Sequence, residues 1–302
     1  MTQISLAPGS LRNAALMERA VKGRSLWDDA RRRLFRNKAA VASMIVLGLL
    51  VLCAVIGPLV VPYAYDEINK NDVWLGPLTG GHLIGSDALG RDLLARLFTG
   101  LGVSLAIGAV ATTVSLVIGV AWGATAGYLG GVVDEVMMRI VDVLYSLPYI
   151  FFVIILMVTF GSNFILLFVA IGAVEWLTMA RIVRGQTLSL KQKEFIEAAR
   201  AGGVSPLGII TRHVIPNVVG PVMVYVTLTV PGVILTESFL SFLGLGIQEP
   251  LTSWGVLISD GANTMESAPW MLIFPALLMG VTLFCFNFIG DGLRDALDPK
   301  DY

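Results

Sequence analysis

The sequence predicts an all-α membrane protein with six transmembrane helices and both termini in the cytoplasm. Three observations carry this: the shortage of charge, the spacing of the charge-free stretches, and the side on which the basic residues fall. Lysine, arginine, aspartate and glutamate make up 14% of the 302 residues, where a soluble globular chain carries roughly 25%. The apolar fraction is 56% and the mean hydropathy +0.78. These values exclude a disordered chain, a soluble enzyme and a secreted disulfide scaffold. A net charge of −1 gives no reason to expect a nucleic-acid partner.

No charged residue occurs in 39–65, 97–133, 143–174, 214–236 or 267–290. A helix needs about 20 mostly apolar residues to cross roughly 30 Å of hydrocarbon. The third stretch is divided at Gly161-Ser162-Asn163, a turn signal. The spans are therefore expected near 40–61, 101–127, 138–160, 163–183, 216–237 and 269–290. The apolar run Phe239 to Ile247 is too short to cross and reads as a re-entrant or interfacial segment.

Cytoplasmic flanks retain positive charge. Counting alternate flanks from the N-terminus places 18 Lys and Arg inside and only Lys70, Arg91 and Arg96 outside. This split gives a cytoplasmic N-terminal segment (1–38), a six-span domain (39–290) and a cytoplasmic tail (291–302). The basic region is long and the first apolar run exceeds the usual 7–15 residues, so a cleavable signal peptide is not expected.

Along the chain, Ser25 with Asp28 three residues later forms a capping-box pattern. It opens an amphipathic helix over about 24–38, with Trp27, Ala30, Leu34 and Phe35 on one face and arginines opposite. Such a helix suits the inner leaflet. The external loop from Pro62 to Arg96 ends in LLARLF, which is expected on the membrane surface. Cys53 and Cys285 lie in long apolar runs and read as buried free thiols. Gly119, Gly123, Gly127 and Gly131 recur every four residues, a small-residue stripe that lets helix backbones approach, either within the subunit or at an interface.

Glu175 falls about 12 residues into the fourth span. A carboxylate there is costly unless it is paired or faces a wet cavity. Two accounts stand: a cavity residue on the translocation pathway, or an ion pair with Arg181 or Arg139. Pro221, Pro231 and Pro275 are candidate hinges, although transmembrane helices tolerate proline in any case.

The most informative segment is Lys191 to Asn217. Lys193 to Ala201 reads as a short helix presenting small Ala198 and Ala199; Gly202-Gly203 breaks it; Ser205-Pro206 starts a second helix with an N-cap and a first-turn proline. Ile209, Ile210 and Val214 give the second helix an apolar face until Pro216 opens the fifth span. Two short helices with small residues and one carboxylate suit docking by a cytosolic partner.

Glu197-Ala198-Ala199, then Gly203, then Ile215-Pro216 resembles the E-A-A loop of importer permeases in ATP-binding-cassette systems. His213 and Ile215 depart from the general pattern. Arg212 to Asn217, R-H-x-x-P-N, resembles the peptide and nickel branch. With RSLWDDARRR, MARIVRGQTLSLK, ESFLSFLGLGIQEPLTSWG and FCFNFIGDGLRDALDPKDY, the resemblance to C-type permeases of oligopeptide importers covers nearly the whole chain.

This resemblance implies a type I importer permease in the bacterial inner membrane, without catalytic chemistry of its own. It implies several partners: a second, similar permease, two cytosolic ATPases that bind ATP and Mg, an external substrate-binding protein, and a peptide substrate. Carried over by position, Glu197, Ala198, Ala199, Gly203 and Pro216 belong to the ATPase-coupling element. The residues agree on one point: the Gly-Lys pair of a Walker A loop occurs nowhere. The only histidines, His82 and His213, fall on opposite sides of the membrane in this topology, so neither a metal centre nor a Ser/His/Asp site is expected. Dipeptide, nickel or another small solute is the alternative cargo. An ion-coupled secondary transporter is the alternative class, expected to show inverted repeats and several intramembrane charges.

Overall fold

The computed structural model describes residues 26–160 and 164–297, and it is helical almost throughout. The elements are α1 (Leu26–Arg36), α2 (Lys38–Val60), α3 (Leu93–Leu129), α4 (Gly131–Ser146), α5 (Tyr149–Phe160), α6 (Phe164–Leu190), α7 (Glu194–Ala201), α8 (Pro206–Ile209), α9 (Ile215–Phe242), α10 (Trp254–Asn263) and α11 (Trp270–Leu297). A π turn, Ile210–Val214, joins α8 to α9. Among the described residues, α2, α3, the continuous helix Pro206–Phe242 and α11 are long and apolar enough to cross a membrane.

Local chemistry sets most boundaries. The Asn37 side chain accepts from the Ala39 and Ala40 amides and caps α2. Asp92 does the same for α3 through the Ala95 amide at 2.7 Å. The expected cap Ser25 and the Trp27 side chain lie outside the described residues, as do the turn 161–163 and residues 298–302. In α1, Ala30 is buried, while Phe35 is exposed beneath the Arg31 guanidinium. The Leu34 side chain approaches α11 near Gly292, so part of the apolar face expected to meet lipid meets protein.

Four expectations need correction. The third span is not one straight helix: α4 and α5 meet at Leu147-Pro148 with an 80° bend, because proline and the residue before it disfavour a continued helix. The segment LLARLF is not a separate surface element, and only Leu94 and Phe98 of its four large apolar residues keep partial exposure. It forms the first turns of α3, whose 37 residues run about 55 Å, well beyond the hydrocarbon thickness. Leu93 and Leu97 are buried in its core. Phe239–Phe242 continues α9, and the chain turns at Leu243–Gly244, so the run read as re-entrant is the end of a span. Finally, the C-terminal helix does not stop at 290; α11 continues through Asp291, Arg294 and Asp295 to Leu297.

The core has two ends, divided along α3. At the end carrying residues 61–92, Leu93, Leu101, Val230, Ile234, Trp254, Leu257 and Met271 pack together from α3, α9, α10 and α11. At the opposite end Tyr128, Met179, Val183, Ile196, Ile209, Val214 and Val218 form a second cluster. Cys53 and Cys285 are free thiols.

Candidate functional site

The segment between α6 and α9 is built from its backbone signals. Helix α7 ends where Gly203 takes φ +78°, a conformation that favours glycine. The Gly203 amide bonds the Arg200 carbonyl, and the Val204 amide bonds the Ala199 carbonyl, closing the end of α7. Ser205 then accepts from the Gly208 amide at 3.2 Å, with Pro206 in the first turn of α8.

One side chain of α7, Ile196, is fully buried against the end cluster of α3, α6 and α9. Glu197 and Ala198 lie on its exposed side, with Ala199 half-buried at the edge. The exposed face of α7 thus carries two carboxylates, Glu194 and Glu197, with small Ala198 and the exposed Phe195 and Arg200, while Ile196 is buried in the cluster beneath. Gly203 is exposed, with open space where a Cβ would stand. Its φ, and not crowding, is what a side chain would strain.

Pro216 does not open a new helix, as expected from sequence; it lies inside a continuous one. The Ile215 amide bonds the Ile210 carbonyl, five residues back. A widened π turn gives the proline ring room against the preceding turn. The Asn217 side chain donates to the His213 carbonyl at 2.6 Å, one turn back on the same helix.

The glycine stripe is a packing seam between α3 and α6. A Cβ at Gly119 would stand 2.5 Å from Met179 Cβ, one at Gly123 2.3 Å from the Ala180 carbonyl oxygen, and one at Gly127 2.8 Å from Thr187 Cβ. Gly131 has open space around it and lies beyond the seam.

Glu175 is partly buried on α6 and forms no ion pair among the described residues. Arg181, its expected partner, instead donates to Asp142 at 2.8 Å and stacks over the Tyr145 ring. Neither expected pair is present among the described residues: Arg181 points to α4, and Arg139 makes no ion pair with Glu175. Tyr225 on α9 lies within electrostatic reach of Glu175.

Sequence reasoning missed two further sites. In the 61–92 segment, Asp87 accepts from both Arg91 Nε and Arg96 Nη1, and all three side chains are buried. Arg96, counted from sequence only as a charge on the outer side, is 1% exposed. His82 lies between Asp92 at 2.7 Å and Asp72 at 3.4 Å, stacked on Tyr63, and links the segment to the cap of α3. The second site is Glu237, fully buried near the end of α9. Its Oε1 accepts from Ser241 Oγ at 2.7 Å and Ser253 Oγ at 2.6 Å. The i, i+4 spacing of Glu237 and Ser241 was a usable signal; Ser253 lies 16 residues away with none.

Comparison with known proteins places this architecture. The family described as binding-protein-dependent transport system inner membrane component matches residues 119–300. The N-terminal TM domain of oligopeptide transport permease C matches residues 25–77. The chain belongs to this permease family. It is 53% identical to the oligopeptide transport system permease protein OppC of Haemophilus influenzae, over the full length of both chains. It is 60% identical to the protein of the same name from Escherichia coli K12, over 93% of each chain. With the dipeptide transport system permease protein DppC of Bacillus subtilis it shares 46% identity, over 91% of this chain and 86% of that one. The permease is thus a transport component of the inner membrane and not a catalyst.

Proposed function

We propose that this permease carries oligopeptides inward by alternating access, as one of two similar membrane subunits above two cytosolic ATPases. An external binding protein delivers the peptide, and ATP and Mg are held by the ATPases. The chain crosses six times with both termini in the cytoplasm, so α7 lies inside and residues 61–92 outside. In this topology α4 with α5 makes the third crossing and α6 the fourth. The observation that carries the coupling role is the geometry of α7: Glu197 and Ala198 exposed on a helix whose Ile196 is buried against α3, α6 and α9. A push on α7 is transmitted to those helices because close-packed interiors deform little.

Ala198 and Ala199 stay small so that a partner groove can receive the helix. Gly203 supplies the turn, and Pro216 stands in the first turn of α9, just after the π segment that leads into the fifth crossing. Glu197 pairs with a basic residue of the ATPase. Glu175, free of an ion pair, lies on the translocation pathway and meets the peptide ammonium. The oligopeptide cargo is supported by the names and full-length likeness of the relatives. The likeness to a dipeptide permease keeps a shorter peptide as the second reading.

The test uses the complete transporter in liposomes, with its ATPases and binding protein, supplied with labelled peptides of graded length. ATP-dependent uptake of peptides longer than two residues is expected. Ala198→Trp and Gly203→Val should assemble and bind the loaded binding protein, yet lose stimulated ATP hydrolysis and uptake. Wild-type rates in both variants would overturn the coupling role, and uptake without ATPase subunits would overturn the importer reading.

A further inference from the structure

The continuous helix Pro206–Phe242 joins two places that have so far been described separately. Its inner end leads out of the α7 loop, and its outer end carries Glu237. A carboxyl group buried in a spanning helix is costly unless satisfied; here hydroxyls from two elements meet one oxygen, Oε1, while Oε2 has no hydrogen-bond partner among the described residues. Ser241 lies one turn on in α9; Ser253 belongs to the next element and is the N-cap of α10, accepting from the Val256 amide at 3.2 Å. The Ser253 hydroxyl therefore donates to Glu237 while capping α10 with its lone pair, so the start of α10 is fixed to α9 through one carboxylate oxygen.

The surroundings reinforce the joint. A Cβ at Gly255 would stand 2.5 Å from Ser238 Cα, so α10 rests directly on the α9 backbone. On its other side the Trp254 amide donates to Ser104 Oγ of α3 at 3.1 Å, and Ser104 is fully buried. Helix α10 is thus a cover over the outer part of α3, resting on α9 at Gly255 and on α11 at Gly261, where a Cβ would stand 2.5 Å from the Leu272 nitrogen.

We infer that Glu237 is a positioning residue that ties the outer cover α10 to the helix leading from the ATPase-facing loop, so that α10 moves when that loop moves. This rests on the coupling role proposed above. Because both serines donate, a glutamine carbonyl can replace the carboxylate oxygen, whereas leucine of similar size cannot.

The experiment reads exposure of a cysteine at Ser104, beneath α10, in a chain with Cys53 and Cys285 replaced by alanine. The complete transporter in liposomes, with loaded binding protein, is treated with an impermeant thiol reagent from the outside, with and without ATP and vanadate. In the otherwise native chain, labelling should be slow at rest and rise with nucleotide. Glu237→Leu should raise resting labelling roughly tenfold, a shift of about 1.4 kcal/mol in the opening equilibrium, and remove most of the nucleotide response. Glu237→Gln should behave as native. Ser253→Ala, which cuts the tie from the α10 side, should also raise resting labelling and keeps the test open if Glu237→Leu fails to assemble.

Slow resting labelling with a native nucleotide response in both Glu237→Leu and Ser253→Ala would overturn the inference. Ala198→Trp separates it from the coupling role: that variant should keep labelling slow at rest and abolish the nucleotide response. A native response in Ala198→Trp, together with raised resting labelling in Glu237→Leu, would sustain the tie while overturning the coupling role.

Discussion

Asp134 and Arg184 meet in a two-pronged ion pair: the guanidinium Nε and Nη2 donate to the two carboxylate oxygens, each at 2.6 Å. The pair fastens α4 to α6 beside the point where Gly123 admits the α6 backbone, and it borders a polar cleft of about 480 Å³ that also holds Asp142 and Arg181. Arg184→Ala should lower the melting temperature of the purified permease by a loss on the order of 1 kcal/mol, because the arginine is partly solvated. The double exchange Asp134→Arg with Arg184→Asp should recover most of it. Failure of that exchange to improve on either single change would show that the pair contributes nothing through its charge.

Glycine replacements should divide sharply by position. Gly123→Ala sets a methyl carbon against the Ala180 carbonyl oxygen and should cost about 1–3 kcal/mol, seen as reduced abundance in the membrane. Gly185 lies on the exposed side of α6 with open space around it. Gly185→Ala should match or exceed the native stability, by up to about 1 kcal/mol of helix propensity. Equal behaviour of the two would remove the seam as a packing requirement.

Glu175→Gln should alter peptide uptake while leaving membrane abundance normal. The charge holds no ion pair with Arg181, which Asp142 engages, so no partner is orphaned by its loss. The decisive comparison is uptake of peptides with free and with acetylated amino termini. An unchanged preference between them would remove Glu175 from ammonium recognition.

Orientation is open to a direct measurement at two exposed positions, Thr79 and Ser189. With Cys53 and Cys285 replaced, a cysteine at 79 should react with an impermeant reagent in intact spheroplasts, and a cysteine at 189 only after permeabilisation. Labelling of position 189 from outside would invert the six-span arrangement.

What was legible in the sequence follows from how local its cause is. The end of α7 at Gly202-Gly203 and the start of α8 at Ser205-Pro206 are local and stood in the sequence as they stand in the structure. So do α2 and the body of α11, since a charge gap of span length needs no tertiary knowledge. Non-local causes were hidden. Arg96 was counted only as a charge on the outer side, because its partner Asp87 and the burial around it are products of folding. Glu237 was read as the limit of a span because the hydroxyl of Ser253 that stabilises it arrives from another helix. The bend at Pro148 was missed because proline alone does not decide whether a membrane helix continues or breaks.

The π turn at Ile210–Val214 has an effect on everything that follows it. One residue more per turn sets the phase of the helix forward by about 100° relative to a regular α-helix. All side chains of α9, from Val218 facing α7's neighbours to Glu237 facing Ser253, therefore owe their compass bearing to a five-residue ring at the start. Deleting a single residue there would leave composition, span length and hydropathy almost untouched, yet it would swing Glu237 about a quarter-turn off Ser253. In this permease, insertions and deletions at 210–214 act as a rotation of the whole fifth crossing, not as a change in a connecting loop.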